Sequence, residues 1–138
     1  MTTLTRLLFP LPAIRRSPAT LFAWWECRRL LYNVVVGSTG VITLATVLVL
    51  DWLPPHVLHI VVPWQAVVLY GVAANVCYSC GFLLEVLCEG LWRGEVAPVG
   101  PALFRQGLVF SVGLTLLPLI PAWMSYVFDL VKWVTVLR

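Results

Sequence analysis

The chain has 138 residues, of which 61% are hydrophobic and only 11% are charged, and its formal net charge is +3. Soluble domains carry roughly a quarter charged residues, so this composition excludes an ordinary water-facing surface and fits one integral membrane unit, for which lipid needs no polar cover. Five of the nine cations precede residue 30; that clustering points to a membrane surface, and nucleic acid is not an expected partner.

In chain order, Met1 to Arg16 mixes Leu7, Leu8, Phe9, Leu11 and Ile14 with Arg6, Arg15 and Arg16. Pro10 and Pro12 prevent one continuous helix, which predicts an irregular segment on the cytoplasmic surface. The apolar run there is too short and too broken for a cleaved signal, and too few apolar residues follow Arg15-Arg16 for a twin-arginine export signal. Ser17 followed by Pro18 predicts a helix start, a capping hydroxyl and then a ring suited to the first turn.

Residues 1–29 are read as a cytoplasmic-face juxtamembrane segment that ends in an amphipathic lead. Its collar is Trp24-Trp25-Glu26-Cys27-Arg28-Arg29, in which indoles sit at headgroup level and arginines reach lipid phosphate. Four-residue spacing stacks Trp24 over Arg28 and Tyr32, and Trp25 over Arg29 and Asn33, while Glu26 can pair with Arg29. Trp24, Trp25, Arg28 and Arg29 are therefore the expected anchor to lipid headgroups or to a partner protein.

Beyond the collar, the uncharged run from Leu30 to Leu50 rises about 31 Å as a helix, the hydrocarbon thickness of a bilayer. Three spans are predicted, at about residues 30–53, 63–88 and 102–124. Trp52, Pro54 and Pro55 end the first, Pro63 and Trp64 open the second, and Trp92 with Arg93 marks the opposite interface. The stretch from Gly90 to Pro101 is rich in glycine and proline and reads as a loop. Pro118 and Pro121 should kink the third span. Residues 125–138 repeat Val127, Leu130, Val131, Val134 and Leu137 at helical spacing beside Asp129, Lys132 and Arg138, which predicts a C-terminal interfacial amphipathic helix or an extension of the third span.

The fold class expected is thus an all-α membrane protein. Arg6, Arg15, Arg16, Arg28, Arg29, Arg93 and Arg105 fall on one side and Lys132 and Arg138 on the other, which places the N-terminus in the cytoplasm and the C-terminus outside.

Small residues recur at helical spacing: Gly37 and Gly40 with Thr43 in the first span, Ala73, Cys77 and Gly81 in the second, and Gly107, Ser111 and Thr115 in the third. In lipid, helices associate by close packing and interhelical hydrogen bonds, so these positions are the expected helix contacts. Glu85 is the one acid embedded in an apolar run, and an inner-leaflet ion pair with Arg105 is the expected partner, with Arg28 and Arg29 nearby.

Other chemistry is weakly signalled. His56 and His59 lack further histidines to complete a metal or haem site. Cys27, Cys77, Cys80 and Cys88 lie in or beside apolar helical segments, as packed free thiols do; Cys77 and Cys80 have C-x-x-C spacing but sit near the expected bilayer midplane, where a thiolate is costly. No nucleotide fingerprint, phosphate loop or nucleophile triad occurs, and no catalytic, cofactor or metal site is expected. The function expected is a structural or accessory subunit of a larger complex in a bacterial-type inner membrane, with lipid and other membrane subunits or identical copies as partners. A homo-oligomeric channel or small transporter is the alternative, and a membrane thiol redox protein the third reading.

Overall fold

The computed structural model describes residues 17–55, 63–92 and 99–137. The segment Met1 to Arg16, the histidines His56 and His59, residues 93–98 within the stretch expected to be a loop, and Arg138 lie outside the described residues. The described residues form α1 (Pro18–Trp52), α2 (Trp64–Trp92), α3 (Gly100–Leu116) and α4 (Leu119–Val136). Three stretches are long and apolar enough to cross a membrane: α1, α2 as Trp64–Leu91, and α3 with α4 as Gly100–Val136. The fold is that of an all-α membrane protein, with three such stretches among the described residues.

Local chemistry explains the ends. Ser17 caps α1, its side chain accepting from the Thr20 N–H at 3.3 Å, and Pro18 occupies the first turn. No break separates the amphipathic lead from the first span, because nothing between Pro18 and Trp52 removes a backbone donor. The helices reach further into the expected loop stretch, Gly90 to Pro101, than its composition implied. Gly90 lies within the last turn of α2, and Pro101 sits in the first turn of α3, where its missing N–H costs nothing.

Pro118 has no N–H to offer Leu114, whose carbonyl instead accepts from Leu117 at 3.3 Å, and the helix is interrupted at Leu117–Pro118. From Leu119 it continues to Val136 in one piece, so Ser125 to Val136 extends the third membrane-spanning stretch with no turn before it.

One helix organises the others. On α1 the buried residues Leu21, Trp25, Arg28, Tyr32, Val36, Thr43, Val47 and Leu50 recur at steps of three, four or seven and lie on one stripe, with buried Asp51 four residues after Val47. Its contacts with α3 and α4 ascend together, Trp25 to Phe104, Tyr32 to Ser111, and Val47 and Leu50 clustered with Ala122, so these helices run parallel to α1. Those with α2 run in opposite senses, Phe22 to Phe82, Trp25 to Tyr78 and Tyr32 to Ala74. Two apolar clusters result, one of Trp25, Tyr32, Val36, Tyr78 and Phe104, the other of Val47, Leu50 and Ala122. By contrast, α2 buries only Tyr78 and Glu85 among its described residues.

Candidate functional site: a polar and aromatic seam inside the bundle

A set of polar side chains, Glu85, Tyr32, Tyr70, Tyr78, Ser111 and Thr115, meets in the seam between α1, α2 and α3. At its Trp25 end, Glu85 of α2 is 2% exposed. One carboxylate oxygen accepts from the Trp25 indole N–H at 2.6 Å, and the other accepts from the backbone N–H of Gly100 at 3.1 Å. Gly100 is the first residue of α3, so Glu85 caps that helix from a neighbouring element and places negative charge at its positive end. A Cβ at Gly100 would collide with the Glu85 carboxylate.

Trp25 is the pivot. Its indole lies on Gly81, where an added Cβ would stand 2.7 Å from the ring, and its carbonyl accepts from the Tyr78 hydroxyl at 2.5 Å. Edge-on contacts surround it, with ring centroids 5.1 Å away at Tyr78, 5.5 Å at Trp24 and 6.4 Å at Phe104. A collar tryptophan expected at the lipid headgroups is therefore a buried core residue at 3% exposure. Its one polar atom can sit there because Glu85 accepts from it.

A second set of bonds follows toward the middle of the spans. The Tyr32 hydroxyl donates to the Ala74 carbonyl at 3.2 Å and shares a hydrogen with Ser111 Oγ at 2.8 Å. Tyr70 donates to the Ser111 carbonyl at 3.1 Å and meets Thr115 Oγ1 at 2.6 Å. Three tyrosines thus tie three helices, a stronger bond in lipid than apolar contact alone because water does not compete for the same groups.

The anchor residues divide. Arg28 is buried, stacks over Trp24 at 3.7 Å and donates to the Trp24 carbonyl at 3.1 Å. Arg29 is partly exposed, paired with Glu26 at 3.0 Å and bonded to Ser79 at 3.3 Å. With Trp25 and Arg28 turned inward, the headgroup clamp cannot use all four residues.

The small-residue stripes need correcting as well. Ser111 and Thr115 are buried in the seam, Gly81 receives Trp25, and Gly40 lies where an added Cβ would be 3.7 Å from Thr115 Cγ2. Ala73 and Cys77 are exposed, and no atom lies within 4 Å of an added Cβ at Gly37 or Gly107. The physical reason is bulk at the seam: Trp25, Tyr78 and Phe104 fill much of the space between helices, so the backbones meet partly through rings, and Gly37, Ala73, Cys77 and Gly107 face outward. Arg105 is exposed on α3, and neither it nor Glu85 is without a further partner.

Cys27, Cys77 and Cys80 are exposed free thiols and Cys88 is half-buried. Among the described residues no cluster of His, Cys, Asp and Glu could hold a metal ion. Tyr70 and Tyr78 do not stand out in the sequence, although Tyr70, Ala74 and Tyr78 recur at the four-residue spacing of one helix row. No family model matches the chain, and no similar curated protein or solved structure was found.

Proposed function

We propose that this protein is a structural or accessory subunit of a larger assembly in a bacterial-type inner membrane, its N-terminus cytoplasmic and its C-terminus outside. The observation that carries this reading is the contrast between seam and perimeter. The polar side chains of the seam are engaged with one another, as in a scaffold whose interior is fixed. The outer face of α2 presents Val67, Val68, Leu69, Val72, Val76, Leu83, Leu84 and Leu87 together with Ala73 and Cys77, all exposed. In a bilayer such a face suits lipid or a second helix, and small residues among the large ones permit close approach. The orientation is supported by the cations, seven arginines on the side of Trp24 and Trp25 against Lys132 and Arg138 on the other.

Solubilisation from its native membrane in mild detergent, followed by native mass spectrometry, tests this function. A complex with different polypeptides supports it. Identical copies alone would instead favour the homo-oligomeric channel or small transporter, and a co-purifying quinone with oxidised Cys77 and Cys80 would favour thiol redox chemistry.

A further inference from the structure

The exposed face of α3 carries a shallow furrow lined by Ala102, Arg105, Gln106, Val109 and Phe110. These residues share one side of the helix, at steps of three and four. The side opposite holds Phe104, Ser111 and Thr115 in the seam. Phe104 packs against Trp24 at 6.3 Å and Trp25 at 6.4 Å between ring centroids, so Arg105 and Gln106 stand level with the indole pair at the end of the span. Val109 and Phe110, 73% and 69% exposed, lie about 6 Å further toward the middle of the bilayer.

We propose that this furrow binds one anionic phospholipid, its phosphate on Arg105 and Gln106 and an acyl chain along Val109 and Phe110. Charge complementarity selects the headgroup, because a guanidinium offers paired donors to phosphate oxygens and the Gln106 amide adds another. Orientation selects a lipid over a partner helix. The furrow is polar at headgroup level and apolar below it along the span, the same order in which a phospholipid presents phosphate and chain. The site also takes over the headgroup contact that buried Trp25 and Arg28 do not make. It requires only that the chain spans a membrane, so it stands or falls separately from the accessory-subunit function.

The test is native mass spectrometry of delipidated protein titrated with phosphatidylglycerol or with phosphatidylcholine. Phosphatidylglycerol should be retained preferentially, and Arg105→Gln should reduce that preference about five-fold, the effect of one cation near a charged headgroup. Lys132→Gln, at the far end of the molecule, should leave it unchanged. Phe110→Ser should weaken retention of both lipids and keep the preference. Equal retention of the two lipids by the wild type marks annular lipid only and overturns the proposal, as does an Arg105→Gln variant that keeps the full preference. If that variant cannot be purified, Gln106→Leu serves in its place: a reduced preference supports the site, and an unchanged one overturns it.

Discussion

The indole N–H of Trp25 donates to Glu85 at 2.6 Å, across 60 residues of sequence and between two membrane-spanning helices. Both groups are buried, so each solves the other's problem: the carboxylate gains a donor in place of water, and the indole an acceptor in place of a headgroup. Glu85→Gln keeps one acceptor, sets an NH2 against the other donor and loses the charge that strengthens these bonds, and should cost about 2 kcal/mol of stability in detergent. A cycle with Trp25→Phe measures the pair itself. The double variant should be less destabilised than the sum of the singles by about 1 kcal/mol, and strict additivity of the thermal shifts would show that the two residues act independently.

Gly81 and Gly107 share a residue type and differ in surroundings. Gly81→Leu drives a side chain into the Trp25 ring and should destabilise the fold by about 1–3 kcal/mol. At Gly107 nothing lies within 4 Å of an added Cβ, so Gly107→Leu should leave the melting temperature of the isolated chain essentially unchanged. Loss of co-purifying polypeptides in that second variant, with folding intact, would locate a partner on the outer face of α3. A Gly81→Leu protein that melts like the wild type would contradict the packing of Trp25 on this glycine.

The tyrosine ties make a graded set. Tyr32→Phe removes the donor to Ala74 and the bond to Ser111, and Tyr70→Phe removes those to Ser111 and Thr115. Each should cost about 1 kcal/mol, in the range of interhelical hydrogen bonds in membranes. Unfolding in a denaturing detergent, followed by tryptophan fluorescence, reads the effect. No change in either variant would mean that these hydroxyls bond equally well in the unfolded chain.

Topology is checked by paired reporters. A fusion at residue 96 should report cytoplasm and one after Arg138 the outside, as the seven arginines against two cations require. The reversed pattern would overturn the orientation and, with it, the proposed leaflet of each cluster.

Helices and their ends were largely legible in the sequence, because they depend on local chemistry. The Ser17-Pro18 start, the stop near Trp52 and the interruption at Pro118 each follow from a cap or a missing donor. Contacts made within one turn were legible too: Arg28 on Trp24 and Glu26 with Arg29 lie three or four residues apart. What escaped was the choice of face. Ala73 and Cys77 run beside Tyr70, Ala74 and Tyr78 with the same rhythm on one helix, and periodicity cannot say which row turns inward. The selecting fact is non-local: a tyrosine row can bond Trp25 and Ser111 on neighbouring helices, and the small row cannot. Trp25 was misplaced for a related reason, since an indole beside arginines suits a headgroup layer until a buried carboxylate is found to receive it.

Glu85 and Gly100 are separated by only 15 residues, and this bears on the order in which the chain can be laid into a membrane. By the time Glu85 leaves the ribosome, α1 has been synthesised and its Trp25 indole is already available. The acid can therefore enter the bilayer as part of a helical hairpin with one of its oxygens already bonded, and the second is met as soon as the next helix begins. No stage of synthesis requires a bare carboxylate to wait in hydrocarbon for a distant segment. Delaying the third helix, by inserting residues between Trp92 and Val99, should expose that dependence as slower or incomplete insertion of the second.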